Sequence, residues 1–349
     1  MRPGTAALSD AYDLLLLDLD GTVYRGAEPI DGVDAALAAS PARRMFVTNN
    51  ASRSPADVAA HLNALGIRAK DQDVVTSAQA GARLVASRME PGAQVLVVGA
   101  EALADEVRGQ GLLPVRAYSE SVAAVVQGFA RTVAWADLAE AALAVRNGAW
   151  WVATNVDSTL PDERGLLPGN GALVAALATA TGVAPTVAGK PGRPIMDDAV
   201  RQGGARRPLV VGDRLDTDIA GACAAGLDSL LVLTGVSTAA ETIRAEAGMR
   251  PTYVAGSLGA LASPADACAV GPQPGWRVEV DGGTMRIGVD RAALAASDGT
   301  TDQPDAESAG LAMRGLRAVA AAAWRHDFRG RIIGTDPLTS ALARGWNAE

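Results

Sequence analysis

Two aspartates, Asp18 and Asp20, close the apolar run Leu14-Leu15-Leu16-Leu17 and are followed at once by Gly21 and Thr22. Four leucines in a row read as a strand buried on both faces. Strand periodicity points side chains two residues apart to one side, and Gly21 lets the chain turn sharply behind them. Carboxylates at the end of a core strand are costly unless a cation meets them there. In that setting Asp18 could act as a nucleophile and Asp20 as its acid–base partner. A plain Asx turn after a core strand accounts for a lone Asp-x-Asp-Gly equally well.

Three other segments carry polar groups of the same kind. Met45-Phe46-Val47 runs into Thr48, Asn49 and Asn50, whose hydroxyl, amides and backbone N–H groups could hold phosphate oxygens; a helix cap and turn would use the same residues. Leu209-Val210-Val211 runs into Gly212 and Asp213, with Asp216 and Asp218 following. Hard oxygen donors at a strand end suit Mg2+, and Asp is equally favoured in turns and N-caps. The last is Lys190, in Val-Ala-Gly-Lys-Pro-Gly-Arg-Pro. It is not a Walker A lysine, because Pro191 stands where Ser or Thr is required and the upstream glycine spacing fails. Lys70 and Lys190 are the only lysines in a chain otherwise rich in arginine. A lysine retained in such a chain points to a compact ammonium among carboxylates, a role a planar guanidinium cannot fill.

Short apolar runs at 14–17, 45–47, 95–98, 123–126, 150–153, 209–211 and 230–233 must present these groups. They alternate with Ala-rich helical stretches, the pattern of parallel β/α units. One helix is well signalled: Ser54 as N-cap, Pro55 at its first position, Asp57 completing a capping box and Gly66 ending it. At 349 residues the chain has room for two domains and part of a third. The formal charge of −8, from 39 acidic against 31 basic residues, argues against a nucleic-acid binder. Cys223 and Cys268, the only cysteines, exclude a disulfide framework or a cysteine-built zinc site. His61 and His326 are too few and too isolated for a triad or a zinc site. Beyond Arg2 there is no apolar leader, and no segment reaches the roughly 18 apolar residues that span a bilayer. A soluble cytoplasmic protein is expected, with no membrane partner; a homodimer is one arrangement this allows.

Taken in order, Asp18-x-Asp20-Gly21-Thr22, the strand-end Thr48, Lys190 and Gly212-Asp213 with Asp218 resemble the haloacid dehalogenase superfamily. Val23-Tyr24, Thr48-Asn49-Asn50, the run Gly-Asp-Arg-Leu-Asp-Thr-Asp-Ile from 212 and the segment 153–177 further resemble its NagD-like p-nitrophenylphosphatase branch. The resemblance covers about residues 10–262. It implies an α/β fold: a Rossmann-like, doubly wound parallel-sheet core (1–77 with 188–262), an inserted α/β cap setting specificity (78–187) and a small α+β C-terminal extension (270–349). It also implies a Mg2+-dependent phosphatase for a small phosphorylated metabolite, and because a member with a short C-terminal extension most resembles the glycerol-phosphate phosphatases, glycerol 3-phosphate is the substrate that the resemblance implies. Phosphoglycolate, a nucleoside monophosphate and pyridoxal phosphate are the alternatives. By this resemblance Asp18 is the nucleophile and Asp20 the acid–base group. Asp18, the backbone carbonyl of Asp20 and Asp213 hold Mg2+, with Asp218 supporting the metal or orienting Lys190. Thr48, Asn49 and Lys190 bind the phosphoryl group. Asn155, Asp157 and the turn 168–171 reach the leaving group.

Two other readings compete. A haloacid dehalogenase proper needs neither metal nor an acid two residues after its nucleophile, so Asp20 and the acidic cluster at 213–218 argue against it. A non-catalytic sensor would use the C-terminal extension as its interaction module. There the composition shifts near residue 262 to a proline- and glycine-rich linker, and Trp-Arg-Val-Glu-Val and Thr-Met-Arg-Ile-Gly-Val flank a glycine turn as a hairpin. A helix follows with Met313, Leu316, Val319 or Ala320 and Ala323 on one side, and Arg331-Ile332-Ile333-Gly334 adds a strand. That order resembles a fragment of an acetyltransferase fold, either a remnant or a regulatory module. The Arg/Gln-x-x-Gly-x-Gly loop that would bind acetyl-CoA is missing. Gly169-Asn170-Gly171 lacks the third glycine of a dinucleotide site.

Overall fold

The computed structural model describes residues 6–162, 164–290 and 304–347. Arg2, Glu163 of the loop 158–170 and the segment 291–303 of the extension lie outside the described residues. The chain forms two compact units, one of Met1–Arg43 with Arg206–Glu349 and one of Arg44–Ala205.

In the first unit, four parallel strands lie in the order Tyr253–Ala255, Asp228–Val232, Pro208–Gly212, Leu14–Leu17. Leu14, Leu15, Leu16 and Leu17 are buried without exception, as a strand covered on both faces requires. They pair with Pro208, Leu209, Val210 and Val211 in turn, which brings the residues after Leu17 and after Val211 to the same end of the sheet. The hairpin expected in the C-terminal extension forms: Trp276–Asp281 runs antiparallel to Thr284–Val289 across a two-residue glycine turn. Arg331–Gly334 joins it in parallel, and the helix Pro304–Arg325 precedes that strand.

The stretch after residue 262 is not a free tether. The Leu8 N–H donates to the Ser263 carbonyl at 2.7 Å and the Val270 N–H to that of Thr252 at 3.0 Å. Nor does the extension keep a core of its own. Leu316, Val319, Ala320 and Ala323 pack with Trp276, Met285 and Ile287 in one cluster, and Ile219, Leu231, Ile243 and Val254 of the parallel-sheet region belong to it.

In the second unit Phe46, Val47 and Thr48 pair in parallel with Val74, Val75 and Thr76. The unit also holds a five-stranded parallel sheet in the order Thr186–Val187, Trp150–Ala153, Val122–Gln127, Gln94–Val98, Leu113–Val115. Helices Trp135–Arg146 and Asn170–Thr181 cover one face, burying Ala141, Ala144, Val174 and Leu177 against Leu96, Val125 and Trp151. The helix Pro55–Ala64 starts as its sequence predicts: the Asp57 N–H donates to Ser54 Oγ at 3.1 Å and the Ser54 N–H returns to Asp57 Oδ2 at 3.2 Å. The α/β class with doubly wound parallel sheets is therefore what the motifs implied. Among the described residues no helix is long and apolar enough to cross a membrane.

Candidate active site

Asp18 leaves its strand with one last ladder bond, its N–H donating to the Val211 carbonyl at 2.9 Å. The chain then turns tightly. The Val23 N–H bonds the Leu19 carbonyl at 2.8 Å and the Gly21 N–H the Tyr24 carbonyl at 2.8 Å. Gly21 sits at φ +84°, where a side chain is strained. A Cβ there would also lie 2.5 Å from Asp213 Oδ2. Asp20 stays exposed at the surface of this turn, while Thr22 is buried and its Oγ1 lies 3.5 Å from Asp213 Oδ1.

Asp213 follows the strand Pro208–Gly212 and is fully buried. A single turn of π-helix, Leu215–Ile219, then rotates Asp218 inward. Its Oδ2 accepts from the Arg214 N–H at 3.1 Å, and its side chain fills the space a Cβ on Gly212 would take. Asp216, between them, faces outward instead. Arg214 grips it with two bonds of 3.0 and 2.7 Å and holds its carboxyl below the usual range. The acidic cluster thus splits into two buried groups and one surface ion pair. Carboxylate oxygens of Asp18, Asp213 and Asp218 all lie within 4.8 Å of one another. Asp218, expected in support, stands with the other two, and the Asp20 carboxylate is not among the three.

The loop after the strand Asp228–Val232 completes this corner, and sequence reasoning did not single it out. The Val236 N–H donates to Asp213 Oδ2 at 2.6 Å, and the Ser237 N–H to the Asp213 carbonyl at 3.0 Å. Thr234 Oγ1 donates to the Gly21 carbonyl at 2.6 Å, and the Arg25 guanidinium donates to the Thr234 carbonyl. A Cβ on Gly235 would fall 1.9 Å from Asp213 Oδ2. The only signal for this was a Thr-Gly pair directly after an apolar run.

In the second unit, Thr48 is buried at the end of its strand, its Oγ1 accepting from the Asn50 N–H at 3.1 Å. Lys190 is 3% exposed, and its Nζ donates to the Val47 carbonyl at 3.1 Å. Asn49 binds both neighbours of interest. Its Nδ2 donates to the Asp157 carboxylate at 3.1 and 3.2 Å and to the Lys190 carbonyl at 3.0 Å, while its Oδ1 accepts from the Lys190 N–H at 2.8 Å. Asn155 Nδ2 and Ser77 Oγ both donate to the Asn49 carbonyl, at 2.7 and 2.6 Å. Asn49, Asn155, Asp157 and Lys190 are therefore one connected group, next in the chain to Thr48, with Ser77 an anchor that the sequence did not reveal.

Two family models match, one for haloacid dehalogenase-like hydrolases over residues 15–113 and one for haloacid dehalogenase hydrolase-like proteins over 187–261. The chain is 50% identical over 347 residues to D-glycerol 3-phosphate phosphatase of Mycobacterium tuberculosis, covering 98% of this chain and 96% of that one. It belongs to the haloacid dehalogenase-like hydrolases. The crystal structure of the glycerol phosphate phosphatase of Mycobacterium tuberculosis in complex with magnesium superposes with a TM-score of 0.88 at 48% identity, over 98% of this chain and 99% of that one. A p-nitrophenyl phosphatase from Archaeoglobus fulgidus gives a TM-score of 0.66 at 31% identity, over 72% of this chain and 98% of its own. These likenesses bear out both the branch and the enzyme class read from the motifs: this family member is a phosphatase. They set aside the non-catalytic reading.

Proposed function

We propose that this hydrolase cleaves glycerol 3-phosphate to glycerol and inorganic phosphate, with Mg2+ as cofactor and Asp18 as nucleophile. The observation that carries the substrate is the 50% identity, over almost the whole of both chains, to a D-glycerol 3-phosphate phosphatase. The donor set fits Mg2+: three carboxylates converge, two of them buried, and Gly21 and Gly235 stand where any Cβ would collide with one of them. Asp18, the Asp20 carbonyl and Asp213 would hold the ion, and Asp218 supports them.

A carboxylate approaching a phosphate dianion at about 4 Å meets two repulsions of about 4 kcal/mol each at an effective dielectric near 20. Left standing, they amount to about six powers of ten in rate. When bound, the cation supplies the charge that offsets this repulsion. Thr48 and the ammonium of Lys190 hold the phosphoryl oxygens. An Asp18 carboxylate oxygen attacks phosphorus while the bond from phosphorus to the glycerol oxygen breaks, and Asp20 gives its proton to that oxygen. Asp20 then takes a proton from water, whose oxygen attacks the aspartyl-phosphate and releases inorganic phosphate from Asp18. In this reading residues 1–77 with 188–262 are the catalytic core, 78–187 the specificity cap and 270–349 an extension.

Phosphate release over a panel of phosphomonoesters, with and without Mg2+, tests this. Glycerol 3-phosphate should give the highest kcat/KM and EDTA should abolish turnover. A panel led by phosphoglycolate, a nucleoside monophosphate or pyridoxal phosphate would replace the substrate.

A further inference from the structure

Asn49 stands where a phosphate-binding amide is expected, yet its side chain is engaged within the protein. An amide offers two N–H protons and one carbonyl oxygen. Here one side of Nδ2 meets the Asp157 carboxylate, the other meets the Lys190 carbonyl, and Oδ1 takes the Lys190 N–H. The amide therefore grips the Lys190 backbone at both its donor and its acceptor. Asp157 and the Lys190 backbone together fix which way round the amide sits: flipped, its oxygen would face the Asp157 carboxylate and the Lys190 carbonyl, and its NH2 would face the Lys190 N–H. The bond to Asp157 is charge-assisted and so among the stronger ones.

The approach is also sterically closed. A Cβ on Gly189 would lie 2.6 Å from Asn49 Oδ1 and 2.3 Å from the Thr154 carbonyl, so only glycine brings the lysine backbone this near. From that fixed backbone the buried Lys190 ammonium reaches the Val47 carbonyl at 3.1 Å, one residue before Thr48. Asn155 does not compete for this amide; its Nδ2 secures the Asn49 carbonyl, and its Oδ1 accepts from the Asp157 N–H at 3.2 Å.

We propose that Asp157 is a positioning residue for Lys190, acting through the Asn49 side chain, and that it does not select the leaving group. The inference rests on the reading of Lys190 as the group that holds the transferring phosphoryl. A side chain that places such an ammonium affects every phosphomonoester alike, because all share the phosphate. A side chain that binds a hydroxyl of the leaving group affects only substrates that carry one.

Asp157→Ala, Asp157→Asn and Asn49→Ala are to be compared with the parent on p-nitrophenyl phosphate and glycerol 3-phosphate, and by calorimetric titration with inorganic phosphate. Circular dichroism checks the fold, and Asp157→Asn, which keeps an oxygen to face Nδ2, is the variant least able to disturb it. Asp157→Ala should lower kcat/KM by about 10- to 100-fold, the scale of a misplaced catalytic group. The factor should be the same for both substrates, and phosphate should bind more weakly. Asn49→Ala should reproduce that pattern, and Asp157→Asn should recover much of the loss. A loss confined to glycerol 3-phosphate, with phosphate affinity unchanged, overturns the proposal. A parent that hydrolyses p-nitrophenyl phosphate but not glycerol 3-phosphate removes the substrate assignment alone, and the aryl substrate and phosphate affinity still decide the role of Asp157.

Discussion

At the ends of the strands Leu14–Leu17 and Pro208–Gly212, aspartates face other aspartates; on the hairpin of the C-terminal extension, aspartates face arginines. Asp213 and Asp218 are 0% and 1% exposed, and both lie with Asp18 inside a 4.8 Å group of carboxylate oxygens. On the hairpin, Asp290 meets Arg277 at 2.8 Å and Asp281 meets Arg286 at 3.8 Å, with the arginine side chains 74% and 52% exposed. The second arrangement is ordinary solvated surface, where an ion pair contributes about 0–1 kcal/mol. The first runs against stability, since burying like charges together costs free energy in the absence of a counterion. One residue type thus marks the candidate site where its burial is unfavourable and surface where its pairing is easy.

The sharpest way to break this contrast is to disturb the buried cluster without touching a carboxylate. Gly235→Ala adds one methyl group 1.9 Å from Asp213 Oδ2, so the Asp213 carboxylate must move. The expected result is a loss of about 100-fold in kcat/KM, the scale of a misplaced reacting group, with Mg2+ affinity in calorimetry falling in parallel. Normal Mg2+ affinity and turnover in a folded Gly235→Ala protein would show that Asp213 does not need this placement.

The carboxylates were readable because Asp18, Asp20 and Asp213 follow apolar runs that read as buried strands, and because their order along the chain, with Asp218, is that of a known set. The loop around Gly235 was not, since its contribution is backbone N–H groups and missing side-chain volume, which residue type does not encode. Strands such as Val74–Thr76, Leu113–Val115, Thr186–Val187 and Tyr253–Ala255 also escaped. Each is two or three residues long, too short for periodicity to show, and Pro114 and Pro185 argue against strands where two of them form. The hairpin Thr159–Asp162 with Gly165–Pro168 is similarly hidden by its prolines. The links among Asn49, Asp157 and Lys190 join positions more than a hundred residues apart, and no local pattern announces them. The stretch after 262 looked like a linker by composition, but its hydrogen bonds depend on partners elsewhere in the fold.

That last point sharpens the comparison from the side of the extension. If its surface charges contribute little, its contribution to the unit is apolar, through Trp276, Met285, Ile287, Leu316, Val319 and Trp346 packed with Leu231, Ile243 and Val254. Polar contacts add to it: Arg317 Nε donates to the Val254 carbonyl at 2.8 Å, and Trp324 Nε1 to that of Thr242 at 3.2 Å. A chain ending at residue 262 should therefore lose several kcal/mol, at about 1.5–3 kcal/mol for each large side chain uncovered, and tend to aggregate. What remains folded should keep Mg2+-dependent turnover per molecule, because Asp18, Asp213 and Asp218 precede the cut. Melting temperature and active-site titration separate the two effects. A stable truncated protein without activity would make the extension part of the site.

The smallest effect belongs to the surface pair itself. Arg277→Ala removes the 2.8 Å contact with Asp290, but the arginine side chain is 74% exposed and that of the aspartate 33%. Coulomb attraction there is weakened by water, and holding a long side chain in one geometry costs rotamer entropy. The expected change in unfolding free energy is within about 0.5 kcal/mol. Whatever difference remains should shrink as salt is raised, because the Debye length falls from about 10 Å at 0.1 M to about 3 Å at 1 M. Turnover of glycerol 3-phosphate should match the parent at both salt concentrations. Denaturant titration and steady-state kinetics at low and high salt measure both quantities. A clear loss of activity in Arg277→Ala would mean that a charge on the hairpin takes part in the reaction, and the division between functional and merely solvated carboxylate partners would no longer hold.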